Sequence, residues 1–337
     1  MYSRRHFISS VAALARAPIP VVAAPSSARV EWSGWNTFER LLELTRANLV
    51  DGDLSSWLMA WKWGRRTDGS WGVIDRNAAS DADLWLAYVL FQAARRWRDK
   101  SMRAMAELMQ ARIEKELVVS VAGVGPVLLP GPRGFALKAG GWKLNPSYLP
   151  LPVLRGLASE VPSGPWSSLV RTTVTMFESV TPRRLVPDWV AVWPDRGFML
   201  DAELGFEGGY EAIRAYLWAA MMSKRDPDRV RLLTRMKGMS ELVNRLLVPP
   251  AKIDAFSGQS EGTSPAGFSI ALLPYLDAVG AKISADRQRL RISAMGGIPL
   301  VYYEQALGLF ALGWSEQRFR FAADGRLDWG MTATCEE

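Results

Sequence analysis

The sequence predicts an all-α protein, and three features carry that prediction. Apolar residues recur at helical spacing in segment after segment from residue 36 to residue 314. Glycine and proline clusters fall between those segments, and strand patterns are confined to short hairpins. With 337 residues, 49% of them hydrophobic and 22% charged, the chain has material for one sizeable core.

The first helix is expected from Asn36, which can cap with Glu39 three residues on, and Phe38, Leu41, Leu42, Thr45 and Leu49 follow at helical spacing. Ser80 or Asp81 opens a second, Leu84 to Trp97, that is apolar almost all round, as a helix buried on both sides must be. Met102 to Leu117 carries a one-sided stripe of Met105, Met109, Ile113 and Leu117. Further helices are expected near 167–180, 210–223, 228–247, 266–279 and 300–314, with breakers at 129–134 and at Val248-Pro249-Pro250. Hairpins are expected at Phe135 to Leu144, turning at Ala139-Gly140-Gly141, and at Arg318 to Leu327, turning at Asp324-Gly325. Nothing marks a linker, so residues 36–330 read as a single domain followed by a tail, 331–337.

Residues 1–28 read as an export leader. Ser3-Arg4-Arg5-His6-Phe7-Ile8 has the look of a twin-arginine signal, with small residues at Ala23-Ala24 or Ala28 for cleavage. Arg16, Pro18 and Pro20 interrupt the apolar region, so a general secretory signal stays open as the alternative; either route places the protein in the periplasm or outside the cell. No run approaches the roughly 18 apolar residues of a membrane span.

Composition narrows the chemistry. One histidine, His6, and one cysteine, Cys335, exclude internal disulfides, Cys/His zinc sites, Cys–His dyads and Ser–His–Asp triads. No metal or cofactor is expected. The net charge of +7 is scattered, with acids among the Arg pairs, so nucleic acid is not an expected partner. Acid–base work therefore falls to carboxylates. Fifteen tryptophans, five of them (Trp57, Trp61, Trp63, Trp71, Trp85) within thirty residues, suit sugar stacking, although any one of them can equally be core.

Three polar–aromatic groups sit beside helix starts: Ala79-Ser80-Asp81-Ala82-Asp83, Asn145-Pro146-Ser147-Tyr148, and Tyr210-Glu211-Ala212-Ile213-Arg214. At the first, one aspartate can simply cap the helix while the other stays free for a polar ligand. At the third, Glu211 can be no more than a dipole-stabilised first-turn acid.

Their order resembles glycoside hydrolase family 8. The run from Ala79 to Asp83, with Ala87, Ala93 and Trp97, follows that family's signature at every gap. Val73-Ile74-Asp75, Leu128-Leu129-Pro130-Gly131, Gly134-Phe135, Asn145 to Pro150, Pro187-Asp188-Trp189, Tyr210 to Trp218, Gly313-Trp314 and Arg318 to Phe321 are similar to the same family. The resemblance covers about residues 36–330 and is strongest to the endo-β-1,4-glucanases (cellulases) that accompany bacterial cellulose synthesis.

The resemblance implies an (α/α)6 barrel with a cleft over its helix N-termini, acting on a β-1,4-glucan chain, with the cellulose synthase machinery as a further partner. It implies hydrolysis with inversion, a Glu acid and an Asp base standing roughly 6.5–9.5 Å apart. Asp81 would hold the distorted sugar; Trp61, Trp63, Asn145, Tyr148, Tyr210 and Arg214 would line the cleft, and Asp83 would support the helix start. Two departures stand out. The family's acid lies in a Ser-Glu-Gly-Gln segment ahead of the helix beginning here at Asn36, where this chain has its leader and residues 27–35; Glu31 is no match, and Ser260-Glu261-Gly262 falls in a late loop. The first helical segment is thus expected to be missing, leaving a gap beside the 36–49 helix. At the base position stands Glu211 instead of Asp, one methylene longer, where catalytic geometry tolerates about 0.5 Å. The expected outcome is weak or no hydrolysis; the alternatives are a β-glucan-binding protein without turnover and a truncated, inactive product.

Overall fold

A computed structural model describes residues 34–54, 56–138, 140–296 and 301–329; the leader, the tail, His6, Glu31, Ala139 and Cys335 lie outside the described residues. Eleven α-helices and twelve short strands occur among them, so the chain is mostly helical, as expected.

Helix α1 (Gly34–Leu49) begins two residues before the expected cap, placing Asn36 inside its first turn. It leads through a hairpin, β1 (Lys62–Arg65) with β2 (Trp71–Asp75), into α2 (Ser80–Trp97). Leu84, Ala87, Tyr88, Leu90 and Phe91 of α2 are all buried, as its continuous apolar sequence demands. Its partner α3 (Lys100–Leu117) is capped by Asp99, whose side chain accepts from the Met102 N–H at 2.9 Å, and turns Met109, Ile113 and Leu117 inward.

The strand β3 (Val118–Val121) pairs with β4 (Gly125–Leu128). Then come β5 (Trp142–Leu144), α4 (Leu151–Glu160), α5 (Trp166–Val180), β6 (Val190–Trp193), β7 (Gly197–Met199), β8 (Glu207–Gly208) and α6 (Ile213–Ala220). The chain continues through α7 (Arg229–Arg235), α8 (Gly238–Leu246), β9 (Pro250–Asp254), β10 (Ser260–Thr263), α9 (Ala266–Ala278), α10 (Lys282–Ala294), α11 (Tyr302–Ser315), β11 (Phe319–Phe321) and β12 (Leu327–Trp329). Helices α2, α4, α6, α9 and α11 pack each against the next, with α3, α5, α7 and α10 flanking them. Trp85 of α2 and Trp218 of α6 both meet Phe310 of α11, at 5.0 and 5.2 Å between ring centroids.

Several expectations are corrected. Strands are not confined to local hairpins: β5–β6–β7 and β10–β9–β8 are three-stranded sheets that join distant segments. The expected 135–144 hairpin does form, with the Lys143 N–H on the Phe135 carbonyl and the Leu137 N–H on the Gly141 carbonyl, but its second arm also pairs with the distant β6. The 228–247 helix is two, α7 and α8, because the chain at Arg183 and Arg184 crosses there. A Cβ on Gly238 would meet the Arg183 carbonyl at 2.5 Å, and the Gly238 N–H bonds the Arg184 carbonyl instead. The 210–223 helix starts only at Ile213. Two helices had no expectation: α4, which opens on Pro150 at its cap and Pro152 in its first turn, where proline is tolerated, and α10, whose sequence is mostly polar.

The C-terminal hairpin turns at Asp324-Gly325 as expected. Gly325 (φ 78°) lies against Gly156 of α4, too close for any Cβ, and its carbonyl accepts from Tyr88 Oη at 2.8 Å. The hairpin is thereby tied to α2 and α4.

Candidate active site

The N-terminal ends of α2 and α6 and the Asn145 turn before α4 meet around one guanidinium. Arg214, in the first turn of α6, donates from one NH group to Asp81 Oδ2 at 2.7 Å and from the other to Glu211 Oε2. Asn145 Nδ2 donates to that same Glu211 oxygen at 3.2 Å, while Asn145 Oδ1 takes the N–H and hydroxyl of Ser147. The Tyr148 ring lies against the guanidinium, 5.2 Å from its centroid to Arg214 Cζ. Asp81, Asn145, Tyr148, Glu211 and Arg214 thus come from three separate sequence segments into one connected group.

The group is largely dry: the side chains of Arg214, Asp81 and Glu211 are 8%, 11% and 19% exposed. Burial pushes the Asp81 carboxyl up, Arg214 holds it back, and the balance stays above the usual carboxylate range. Burial also opposes the charge on Arg214, but Glu211 and Asp81 outweigh it and hold the guanidinium firmly protonated. Arg214 Nε is buried without a partner among the described residues.

Tyr210 adjoins the group on the surface side. Its carbonyl accepts from Tyr303 Oη of α11, and its ring meets Phe268 at 4.9 Å and Tyr303 at 5.9 Å. Trp61 and Trp63 stand on the neighbouring β1–β2 hairpin, where Trp63 stacks on the exposed Trp71 at 5.2 Å and Lys62 lies over Trp61. The backbone N–H of Trp61 bonds the Asn77 carbonyl, which brings the hairpin to the mouth of α2.

Neither aspartate of the α2 start acts as a side-chain cap. Residue Ala79 is the cap and has no side-chain bond to give; Asp81 Oδ1 takes only the adjacent Ala82 N–H. Asp83 reaches across to the Met59 N–H at 2.9 Å, fixing the segment that leads to Trp61. Its carboxyl is fully buried, and burial pushes its pKa well above the usual range.

Two residues without a sequence-based role stand beside the group. Tyr303 holds the Tyr210 carbonyl, and Asp188 holds the turn that carries Tyr210 and Glu211: its Oδ1 accepts from Gly209 N–H at 2.8 Å and from Ala212 N–H at 2.7 Å. Pro187-Asp188-Trp189 is visible as a motif, but nothing local shows what Asp188 bonds. Ser260-Glu261-Gly262 forms β10, the outer strand of the sheet that contains β8. Among the described residues no group of three His, Cys, Asp or Glu side chains is placed to hold a metal ion, and no helix is long and apolar enough to cross a membrane.

The profile of glycosyl hydrolases family 8 matches residues 28–317. The chain belongs to that family. This family 8 glycoside hydrolase is similar to the endoglucanase of Xanthomonas axonopodis pv. citri (strain 306), 42% identical over 293 residues that cover 86% of this chain and 76% of the relative. It is equally similar to the endoglucanase of Salmonella typhi, 42% identical over 296 residues, covering 87% and 79%. Among solved structures, the endo-1,4-D-glucanase from Vibrio fischeri ES114 matches with a TM-score of 0.82 at 33% identity, over 89% of this chain and 87% of that one. The resemblance read from the sequence motifs is borne out, and it makes the Arg214-centred group the candidate active site of this hydrolase.

Proposed function

We propose that this chain is an endo-β-1,4-glucanase-type protein that binds a β-1,4-glucan across the Asp81–Arg214–Glu211 group and hydrolyses it slowly, with inversion. The observation that carries the reading is the hydrogen-bonded chain Asp81–Arg214–Glu211–Asn145, with Tyr148 beneath the guanidinium. In this reading Asp81 holds the sugar at the cleavage point, Tyr148, Tyr210, Trp61 and Trp63 line its path, and Glu211 faces the water that attacks the anomeric carbon.

The slow rate follows from two features of the chain. Residues 27–35 carry no Ser-Glu-Gly-Gln run, and a general acid is worth about 10²–10⁴ in rate. Glu211 already accepts from both Arg214 and Asn145 on Oε2, so that oxygen is saturated with donors and only Oε1 is left to meet the water. The same two contacts favour a second reading, a glucan-binding protein without turnover. For the fold, we propose an (α/α)6 barrel in which α2, α4, α6, α9 and α11 are inner helices. Export to the periplasm or beyond, and a place beside cellulose synthesis, complete the proposal.

Reducing-sugar release from carboxymethyl cellulose, measured beside Glu211→Ala, tests it, together with calorimetric titration of cellopentaose. Slow release that the variant abolishes, with binding retained, supports the enzyme reading. Binding with no release in either protein supports the second, and no binding at all ends both.

A further inference from the structure

We propose that Asp188 is a positioning residue: through its Oδ1 it fixes the Tyr210–Glu211 turn and so sets where the Glu211 carboxylate stands. The inference rests on the reading of Glu211 as a substrate-facing carboxylate, and the geometry behind it is local and specific. Asp188 grips the turn at both ends. Its own N–H donates to the Glu207 carbonyl at 2.7 Å, while one oxygen of its side chain gathers the N–H groups of Gly209 and Ala212. Glu211 lies between those two anchored amides, in the residues just ahead of α6, so its Cα is restrained from both sides. Only its side-chain torsions then decide how its carboxylate meets Arg214 and Asn145.

The surroundings show that the 186–188 segment is built to be held there. Tyr216 Oη of α6 accepts the Val186 N–H at 2.9 Å, clamping this segment onto the same helix whose start Asp188 organises. A Cβ at residue 208 would lie 2.3 Å from the Val186 carbonyl, so the approach of the two segments requires Gly208. A carboxylate also suits the free N–H groups ahead of α6, where the partial positive charge of the helix end favours an anion.

That anion is held under tension. Burial pushes the Asp188 carboxyl up to about 6, against the two N–H donors that pull it down, and Glu211 and Glu207 add to the rise. The other groups facing it are Lys252 of β9, paired with Glu207 at 2.9 Å, and the phenols of Tyr216 and Tyr303. Both phenols are raised by burial and stay neutral near neutral pH.

Two variants separate positioning from mere packing. Asp188→Asn keeps an acceptor at Oδ1 and removes the titration; Asp188→Glu keeps the charge and displaces the acceptor by one methylene. Hydrogen exchange of a peptide spanning 206–213 and the pH dependence of cellopentaose affinity are measured for both and for the wild type. The expected result is exchange at Gly209 and Ala212 unchanged in Asp188→Asn and about tenfold faster in Asp188→Glu. Affinity in Asp188→Glu falls about tenfold, while Asp188→Asn stays within about threefold at pH 7 and loses an inflection near pH 6. Wild-type exchange in Asp188→Glu, or an inflection that persists in Asp188→Asn, overturns the proposal. If no protein binds cellopentaose, the glucan reading fails, and the exchange measurement still decides the role of Asp188.

Discussion

Replacing Arg214 by leucine removes the cation that bridges two largely buried carboxylates. The side chains involved are 8%, 11% and 19% exposed, so the pair energies belong to the buried class and not to the surface one. Removing one partner of a buried ion pair costs about 3–5 kcal/mol, because the charge left behind keeps its desolvation penalty and loses its counter-ion. The family match spans residues 28–317, a domain whose unfolding entropy is ~0.6 kcal/mol per kelvin at ~2.1 cal/mol/K per residue. The expected fall in Tm at pH 7 is therefore ~5–8 °C.

The sign of the pH dependence sharpens the test. Arg214 is what holds the Asp81 carboxyl down against burial, so its loss drives that carboxyl further above its unfolded value. A folded-state pKa raised in this way contributes stability that is complete below the unfolded value and is lost as pH rises through the folded one. The deficit of Arg214→Leu should then be widest at pH 7 and shrink towards pH 4, as Asp81 takes a proton in place of its cation. Thermal melts followed by circular dichroism at the two pH values measure it. A Tm within about 1 °C of wild type at pH 7, or an equal deficit at both pH values, would refute the argument that the group is a desolvated charge network.

Other changes have equally definite outcomes. Asp83→Asn keeps the acceptor for the Met59 N–H and removes a carboxyl that burial holds well above its usual range, so its stability should decline less than wild type between pH 4 and pH 8, read by urea unfolding. Gly208→Ala places a methyl 2.3 Å from the Val186 carbonyl and should cost about 1–3 kcal/mol in the same assay. Tyr88→Phe removes the bond to the Gly325 carbonyl and should cost about 1 kcal/mol, with faster hydrogen exchange confined to the 319–329 hairpin.

How much of this was legible in sequence depended on range. Helices α2, α3, α5, α9 and α11 declare themselves because their apolar periodicity reflects burial by immediate neighbours, and Asp324-Gly325 because a tight turn writes its own residues. The break between α7 and α8 did not, since its cause is a crossing segment more than fifty residues earlier, at Arg183 and Arg184. The same division runs through the site. Asp81, Tyr148, Glu211 and Arg214 were visible as motifs at helix starts, and the structure joins them. The tie from Asp83 to Met59 and that from Asp188 to Gly209 and Ala212 span 21 or more residues and have no local pattern.

The methylene that distinguishes Glu211 from aspartate gives the last test. At its present length the Glu211 side chain reaches Arg214 and Asn145 together, and both donors converge on Oε2. Glu211→Asp keeps the charge but draws the carboxylate back by about one bond length, more than the 0.5 Å or so that separates productive from unproductive placement. It cannot keep both donors on one oxygen from a backbone that Asp188 holds still, so the oxygen that both donors now saturate is opened to water beside the other. Hydrolysis of 2,4-dinitrophenyl β-cellobioside isolates this step, because its leaving group departs without a proton and no general acid is required. Glu211→Asp should raise that rate about tenfold, a fraction of the roughly 10²–10⁴ that a well-placed base contributes, while carboxymethyl cellulose stays a slow substrate. An unchanged or lower rate on the activated substrate would mean that the Glu211 carboxylate is no more restrained than the aspartate, and that its contacts with Arg214 and Asn145 do not limit the reaction.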